Sequence, residues 1–125
     1  MEFKKARTIY DQIADRIRED ILRGRRQSGD RIPSVRETAV ETEVNPNTVM
    51  RAYMSLQDIG VLVNRRGMGY YVADGAHEKV RAMKKREFIE EELPSLIKMM
   101  ELLEITPADL LRMIETAKEH DYETE

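Results

Sequence analysis

The sequence predicts a mainly α-helical protein that carries one small β-hairpin. Apolar residues recur every three or four positions over most of the 125 residues, which is the spacing of amphipathic helices. Between about residues 61 and 72 this period is replaced by two short runs of β-branched and aromatic residues around a glycine pair, which is typical of a hairpin. Capping residues and glycines divide the helical part into separate elements.

The first helix is predicted from about Thr8 to Arg23. Thr8 with Asp11 three positions later forms an N-cap pattern, in which side chains accept backbone N–H groups that the helix leaves unpaired. Gly24 follows as a natural helix end. The apolar face of this helix is a ladder of isoleucines at four-residue spacing, namely Ile9, Ile13, Ile17 and Ile21.

Two further helices follow with only a few residues between them. The second begins after Ser34, which forms a capping box with Glu37. The third has Asn45 as its N-cap and Pro46 at its first position, where a missing N–H costs nothing. Gly60 ends it, and its core-facing residues are predicted to be Val49, Ala52, Tyr53 and Leu56.

The hairpin is predicted from two β-prone runs, residues 61–65 and 70–72, with a glycine-rich tip between them. Arg31 and Ile32 are predicted to form a very short strand earlier in the chain. The polar segment A-D-G-A-H, residues 73–77, then predicts a domain boundary, with one domain over residues 1–74 and another over residues 75–125.

The second domain is predicted to be entirely helical. Pro94 lies inside its long apolar pattern and is expected to kink the helix or divide it in two. Thr106 and Pro107 begin a last helix that is predicted to run to about Glu119, followed by a frayed end. The apolar residues at helical spacing are Phe88, Leu93, Leu96, Ile97, Met100, Leu103, Leu110, Leu111 and Ile114.

Charge is distributed unevenly along the chain. Residues 1–73 carry 13 Lys and Arg against 10 Asp and Glu, whereas residues 74–125 carry 8 against 14. Such an asymmetry points to nucleic-acid contact by the basic part. The chain has no cysteine, no secretory signal pattern and no apolar run near the ~20 residues of a membrane span. We therefore expect a cytoplasmic protein without disulfides.

An enzymatic function is not indicated by the sequence. The only histidines, His77 and His120, lie in a predicted linker and in the predicted tail, and no phosphate-binding loop is present. The glutamates near residue 90 are typical of a solvated helix face rather than a metal site. No cofactor or metal is expected, and no residue pattern identifies a small-molecule effector.

Three helices followed by a hairpin is the order of a winged helix-turn-helix. In this fold the third helix enters the DNA major groove with its N-terminus first, so its opening turn must be slim and must expose hydrogen-bonding groups. The segment N-P-N-T, residues 45–48, has this character, because Asn pairs with adenine and Thr can contact a thymine methyl. Asn45 could act only as a helix cap, without contacting DNA. Asn47 already lies inside the helix, where capping is less natural and DNA contact is favoured.

The residues from Ile32 to Val72, IPSVRETAVETEVNPNTVMRAYMSLQDIGVLVNRRGMGYYV, closely resemble the N-terminal domain of the GntR family of bacterial transcription regulators. The resemblance covers about residues 7–73. The form N-x-N-T-V-x-R-A-Y and the short helical tail are similar to the YtrA branch, whose tail is a dimerisation module. Many other branches carry arginines where this chain has Pro46 and Met50. These differences leave the operator sequence unpredicted, but they do not change the expected binding mode.

The resemblance implies which residues contact double-stranded DNA. Arg36 matches a family arginine near the start of the second helix, and the positions of the recognition helix and of the wing tip match as well. Solvated hairpin ends are the alternative for Arg65 and Arg66. The full set is Ser34, Arg36, Asn45, Asn47, Thr48, Arg51, Arg65, Arg66, Gly67 and Gly69.

The apolar tail predicts a homodimer. Its two helices have more apolar surface than isolated helices can bury, and pairing with a second copy would bury it. The alternative is that this surface packs onto the winged domain of the same chain. The apolar tail predicts binding to a palindromic operator as a homodimer, and the resemblance implies that the protein is a repressor. The rival interpretation is a winged-helix module that binds RNA or a protein partner.

Overall fold

The structure, a computed structural model, describes residues 8–124 of the chain. Residues 1–7 and Glu125, which the sequence prediction placed in the two domains, lie outside this range. The elements in order are α1 (Ile9–Leu22), α2 (Val35–Thr42), α3 (Pro46–Asp58), β1 (Leu62–Arg65), β2 (Gly69–Val72), α4 (Ala76–Glu87), a π-helical turn (Phe88–Glu92), α5 (Leu93–Leu102) and α6 (Pro107–Thr124). The mainly helical architecture with one hairpin agrees with the prediction.

The first three helices begin at the predicted capping residues. The backbone N–H of Asp11 donates to the Thr8 hydroxyl at 3.1 Å, and the N–H of Glu37 donates to the Ser34 hydroxyl at 3.0 Å. Asn45 caps α3 by accepting from an N–H two residues later. The side chains of these caps satisfy backbone donors that the first helical turn leaves without a partner.

One compact unit ends at Arg86, and its core is built from all six of its regular elements. The predicted apolar stripe of α3 is fully buried, and three of the four isoleucines of α1 are buried, whereas Ile9 is half exposed. Burial of this apolar surface is the main stabilising contribution in a unit of this size. The buried apolar residues are Ile13, Ile17, Ile21, Ile32, Ala39, Val49, Ala52, Tyr53, Leu56, Val61, Leu62, Val72, Ala73, Ala76 and Val80.

The hairpin is antiparallel, and its register pairs Leu62 with Val72 and Arg65 with Gly69. The predicted short strand at Arg31 is present as a single bridge to Tyr71. Ile32 extends this pairing, because its N–H donates to a carbonyl of β2 at 2.9 Å. The segment before α2 therefore covers the outer edge of the hairpin and holds it against the helices.

The compact unit continues twelve residues beyond the predicted boundary at residue 74. Ala76 and Val80, one turn apart on α4, are 1% and 0% exposed within the core. Lys84 forms an ion pair with Asp15 of α1, which also accepts from Arg18 at 3.0 Å. The helix α4 thus belongs to the same compact unit as the three helices and the hairpin.

The second unit begins at Glu87 and contains no buried residue among residues 87–121. The π-helical turn ends two residues before Pro94, where the sequence predicts a kink or a break. Proline lacks the N–H that an α-helix requires, and a wider turn accommodates its ring. The Ser95 hydroxyl donates to the carbonyl of Glu91, one turn earlier, at 3.1 Å.

The last helix, α6, extends five residues beyond its predicted end at Glu119. Its N-terminus is capped as predicted, because the N–H of Asp109 donates to the Thr106 hydroxyl at 3.1 Å. No helix of residues 8–124 combines the length and the apolar character that crossing a membrane requires.

Candidate nucleic-acid interface

The turn between α2 and α3 determines how the N-terminus of α3 is presented. Glu43 adopts a left-handed conformation with φ of 56°, and the N–H of Val44 returns to the carbonyl of Ala39 at 3.1 Å. Asn45 then accepts the N–H of Asn47 at 2.8 Å, so its side-chain oxygen serves as the helix cap. The chain thereby ends one helix and begins the next within three residues.

The outward surface of α3 is opposite its buried stripe. Asn47, Met50, Arg51 and Met54 are all exposed and lie three or four positions apart, so they form one ridge along the helix. Thr48 is partly exposed beside this ridge. The opening turn of α3 thus exposes an amide and a hydroxyl next to backbone N–H groups, which are groups that can bond to base edges or to phosphate.

Arg51 is held by an aromatic ring with which no sequence pattern connects it. Its guanidinium carbon lies 5.2 Å from the centre of the Tyr10 ring on α1. A guanidinium over an aromatic face is attracted by the negative charge density of that face. The contact keeps Arg51 beside α1 while it remains exposed to solvent.

At the start of α2 the two predicted residues have different surroundings. The Ser34 hydroxyl accepts the N–H of Glu37, and the backbone N–H of Ser34 donates to the Glu37 carboxylate at 3.2 Å. The hydrogen bond from the Ser34 backbone contributes most to lowering the pKa of Glu37, and a hydrogen bond from the Ser34 hydroxyl lowers it further. Arg36 is exposed one residue into the helix. Ser34 therefore acts as a structural cap, and Arg36 is presented to solvent.

The tip of the hairpin is a tight turn with two glycines in conformations that favour glycine. The N–H of Met68 donates to the carbonyl of Arg65 at 2.8 Å and closes the turn. Gly67 has φ of 76°, and no other atom lies within 4 Å of the place where a side chain would begin. The Arg65 guanidinium lies over the ring of Tyr71 at 4.4 Å, whereas the structure leaves Arg66 exposed.

Arg31 supports this turn from the neighbouring strand. Its Nε donates to the carbonyl of Met68 at 3.1 Å. A Cβ added to Gly69 would lie 3.2 Å from the same nitrogen, so the absence of a side chain there makes room for the arginine. The sequence predicts only a short strand at Arg31, because nothing local indicates a contact 37 residues away.

Tyr53 connects α3 to the two neighbouring parts of the candidate interface. Its hydroxyl donates to the carbonyl of Pro33 at 2.7 Å and lies 2.7 Å from the hydroxyl of Thr38. Its ring packs edge-to-face on Tyr70 of β2 at 5.1 Å. Burial raises the pKa of Tyr53, which is above neutral pH even without this shift, and the protonated hydroxyl is the donor to the Pro33 carbonyl. One buried side chain thus fixes α3 relative to α2 and to the hairpin.

The predicted dimerisation residues lie in the second unit. Five of the nine residues are strongly exposed, with Phe88 at 46%, Leu103 at 60% and Leu111 at 56% as examples. Leu93, Leu96, Met100 and Leu110 are partly exposed. Ile89, Leu102 and Met113 add further exposed apolar surface that the prediction did not include.

The described residues do not provide a metal site. Among residues 8–124, no group of three or more His, Asp or Glu is arranged to hold a metal ion. What the first unit offers instead is an exposed helix N-terminus, a polar and apolar ridge on α3, and a hairpin tip with arginines. These features are suited to contacting an anionic polymer with grooves.

Comparison with known proteins identifies relatives over most of the chain. The profile of the family described as "Bacterial regulatory proteins, gntR family" matches residues 9–72. YhcF of Bacillus subtilis, an HTH-type transcriptional regulator, is 38% identical over 118 residues, which cover 94% of this chain and 96% of YhcF. The HTH-type transcriptional repressor YtrA of the same organism is 39% identical over 89 residues, 71% of this chain and 68% of YtrA.

The fold is also found in solved structures. A crystal structure of a GntR-family transcriptional regulator from Bacteroides thetaiotaomicron superimposes with a TM-score of 0.76 at 42% sequence identity. The match covers 90% of this chain and 99% of that protein. It therefore includes the tail as well as the helices and the hairpin.

Proposed function

Since the chain belongs to the GntR family of bacterial DNA-binding transcription regulators, we propose that it represses transcription by binding a palindromic operator as a homodimer. In this proposal α3 lies in the major groove and the hairpin tip lies at the minor groove. The contacting residues are Ser34, Arg36, Asn45, Asn47, Thr48, Arg51, Arg65, Arg66, Gly67 and Gly69. As a family member the protein is a regulator and not an enzyme.

The exposed ridge of α3 is the observation that carries this proposal. The α3 helix has 13 residues and is about 20 Å long, and the diameter of an α-helix, about 10–12 Å, matches the major groove, which is about 12 Å wide. One side of α3 is buried in the core, so the side that can face the bases is the ridge with Asn47 and Arg51, with Thr48 beside it. Residues at the N-terminal end of such a helix contact base edges in helix-turn-helix proteins.

The hairpin tip supports the minor-groove contact. Gly67 exposes its backbone with no side chain in the way, and Arg66 beside it is exposed and positively charged. Arginine side chains enter narrow minor grooves because the negative potential is strongest there. Arg65, stacked on Tyr71, is better placed for a backbone phosphate than for a base.

The tail supports the homodimer. Residues 87–121 contain no buried side chain, yet they carry exposed apolar residues on consecutive helices. Exposed apolar patches of this kind mark surfaces that bind a partner. A second copy is the partner that also explains a palindromic site, because two-fold symmetry in the protein requires two-fold symmetry in the operator.

The repressor role is inferred from a relative, and the cytoplasmic location is inferred from the chromosome as the binding target. YtrA of Bacillus subtilis is named a repressor and is 39% identical to this chain over 89 residues. A bacterial regulator must also reach the chromosome, which lies in the cytoplasm. Binding of RNA or of a protein partner, the rival interpretation, is not favoured, because the family and the relatives are DNA-binding regulators.

Selection of bound duplexes from a random pool tests the DNA-binding mode. We expect a palindrome with two half-sites centred about one helical turn apart. Asn47→Ala should weaken binding to the selected site by about 1–3 kcal/mol with little change for random DNA, because it removes a base contact. Gln57→Ala, also exposed on α3 but near its C-terminus, is the matched control. An equal loss on both DNAs would refute base reading by Asn47.

Sedimentation of two isoleucine variants tests the dimer. Ile97 on α5 and Ile59 at the end of α3 are 46% and 44% exposed, so the same substitution perturbs the two units comparably. Ile97→Glu should convert a dimer to a monomer by placing a charge in the apolar contact, whereas Ile59→Glu should remain dimeric. Dimers in both variants, or monomers in the unmodified chain, would refute the tail as the dimer interface.

A further inference from the structure

The ridge of α3 carries two exposed methionines that the predicted DNA contacts do not include. Met50 is 44% exposed and Met54 is 49% exposed. Met50 is three positions from Asn47 and directly precedes Arg51, so it lies among the residues proposed to face the bases. Two large apolar side chains therefore occupy half of the ridge's four positions.

Single exposed apolar residues on a protein surface normally need no explanation. For Met50 and Met54 the location suggests an explanation, since in the proposed function this side of α3 faces the DNA. The only charged residues of α3 are Arg51 and, at its last position, Asp58. The polar residues of the ridge are Asn47 and Arg51, so apolar contact by the methionines is a second source of sequence preference on this face.

We propose that Met50 is a specificity-determining residue that contacts the 5-methyl group of a thymine in each operator half-site. The inference rests on the proposed function, because it requires α3 in the major groove. In that groove the thymine methyl is the only apolar group that a base pair of unmodified DNA presents. Methionine suits such a contact, because its unbranched thioether adapts to the position of the methyl.

Met50 is favoured over Met54 by its distance from the N-terminus of α3. Met50 is the fifth residue of the helix and Met54 the ninth, which is one further turn along the axis. Helix-turn-helix proteins contact bases mainly through the N-terminal residues of the recognition helix. Met54 has the same chemistry and a similar exposure, which makes it the matched control.

The free energy that one methyl contact contributes to binding sets the expected loss of operator affinity. Burying one methyl-sized apolar group contributes about 0.8 kcal/mol, which corresponds to about a fourfold change in affinity per half-site. With the same change in both half-sites of a symmetric operator, the loss is roughly 15-fold, because independent contributions multiply. A loss of this size is measurable by titration of labelled duplexes.

The experiment replaces thymine by uracil, one symmetric pair of positions at a time, in the palindrome selected from the random pool. Uracil keeps every hydrogen-bonding group of thymine and lacks only the methyl. We expect one symmetric pair of thymine positions at which uracil lowers the affinity of the unmodified protein for the palindrome. The same replacement should have no effect on Met50→Ala, and it should retain its full effect on Met54→Ala and most of it on Met50→Leu.

Three results would overturn the proposal: no thymine whose methyl matters, an undiminished methyl effect in Met50→Ala, or a methyl effect lost in Met54→Ala instead. Each of them leaves the proposed function intact, since the operator has by then been selected and bound. Failure to select any duplex site would instead refute the proposed function. Unchanged thermal unfolding of Met50→Ala confirms that the variant is folded, as expected for an exposed residue.

Discussion

The burial of Val80 predicts that α4 stabilises the DNA-binding unit rather than linking it to the tail. The Val80 side chain is 0% exposed. Val80→Ala removes the equivalent of two methylene groups, or about 1.6 kcal/mol of transfer free energy, and leaves a small cavity. We therefore expect the free energy of unfolding to fall by about 1.5–3 kcal/mol.

Val40→Ala is the matched control for this change. Val40 lies in α2 and is 75% exposed, so the same atoms are removed from a helix without loss of burial. Both substitutions improve the intrinsic helix propensity equally, and this term cancels in the comparison. The control should change the unfolding free energy by no more than about 0.5 kcal/mol.

Urea unfolding at one fixed protein concentration measures the difference, because the proposed dimer would make the stability concentration-dependent. Near-ultraviolet circular dichroism of tyrosine is the suitable signal, since Tyr53 and Tyr70 pack against each other inside this unit. If Val80→Ala and Val40→Ala unfold at the same urea concentration, α4 does not contribute to the core. The boundary predicted at residue 74 would then be preferred to Arg86.

Three further changes test individual contacts. Tyr53→Phe removes two hydrogen bonds that connect α3 to the start of α2, and urea unfolding should show a loss of about 1–3 kcal/mol. Arg31→Met should remove the support of the Met68 carbonyl, and operator titration should show weaker binding without a change in melting temperature. Hydrogen bonds from Ser34 lower the pKa of Glu37, so their stabilisation is present above the ordinary glutamate range and is lost as pH falls through the lowered pKa. Unfolding midpoints of Glu37→Gln should therefore depend less on pH in the acid range.

The parts of the fold that depend on local sequence were predictable. Thr8, Ser34 and Asn45 begin their helices as predicted, because a helix N-terminus is satisfied by a side chain one to three residues away. The buried stripe of α3 follows directly from its apolar period. The hairpin was predicted to within one residue because its glycines permit a turn that other residues disfavour.

Contacts between distant parts of the chain were not predictable in this way. Arg51 stacks on Tyr10, and Arg31 supports the hairpin tip, but neither contact leaves a periodic signal. The α4 helix is a similar case. Its sequence is dominated by charge, and only Ala76 and Val80 mark the side that is buried. Two small apolar residues after a polar break resemble a linker more than part of a core.

These long-range contacts change how the candidate interface is understood. The sequence suggests separate DNA contacts on α2, α3 and the hairpin, whereas the structure connects all three through Tyr53. A displacement of α3 would break bonds to the start of α2 and disturb the packing on the hairpin. Base contacts at fixed spacing require such rigidity, because an error of about 1 Å breaks a hydrogen bond. The ring and hydroxyl of Tyr53 therefore support the proposed specificity, because they hold in place the elements whose side chains face the DNA.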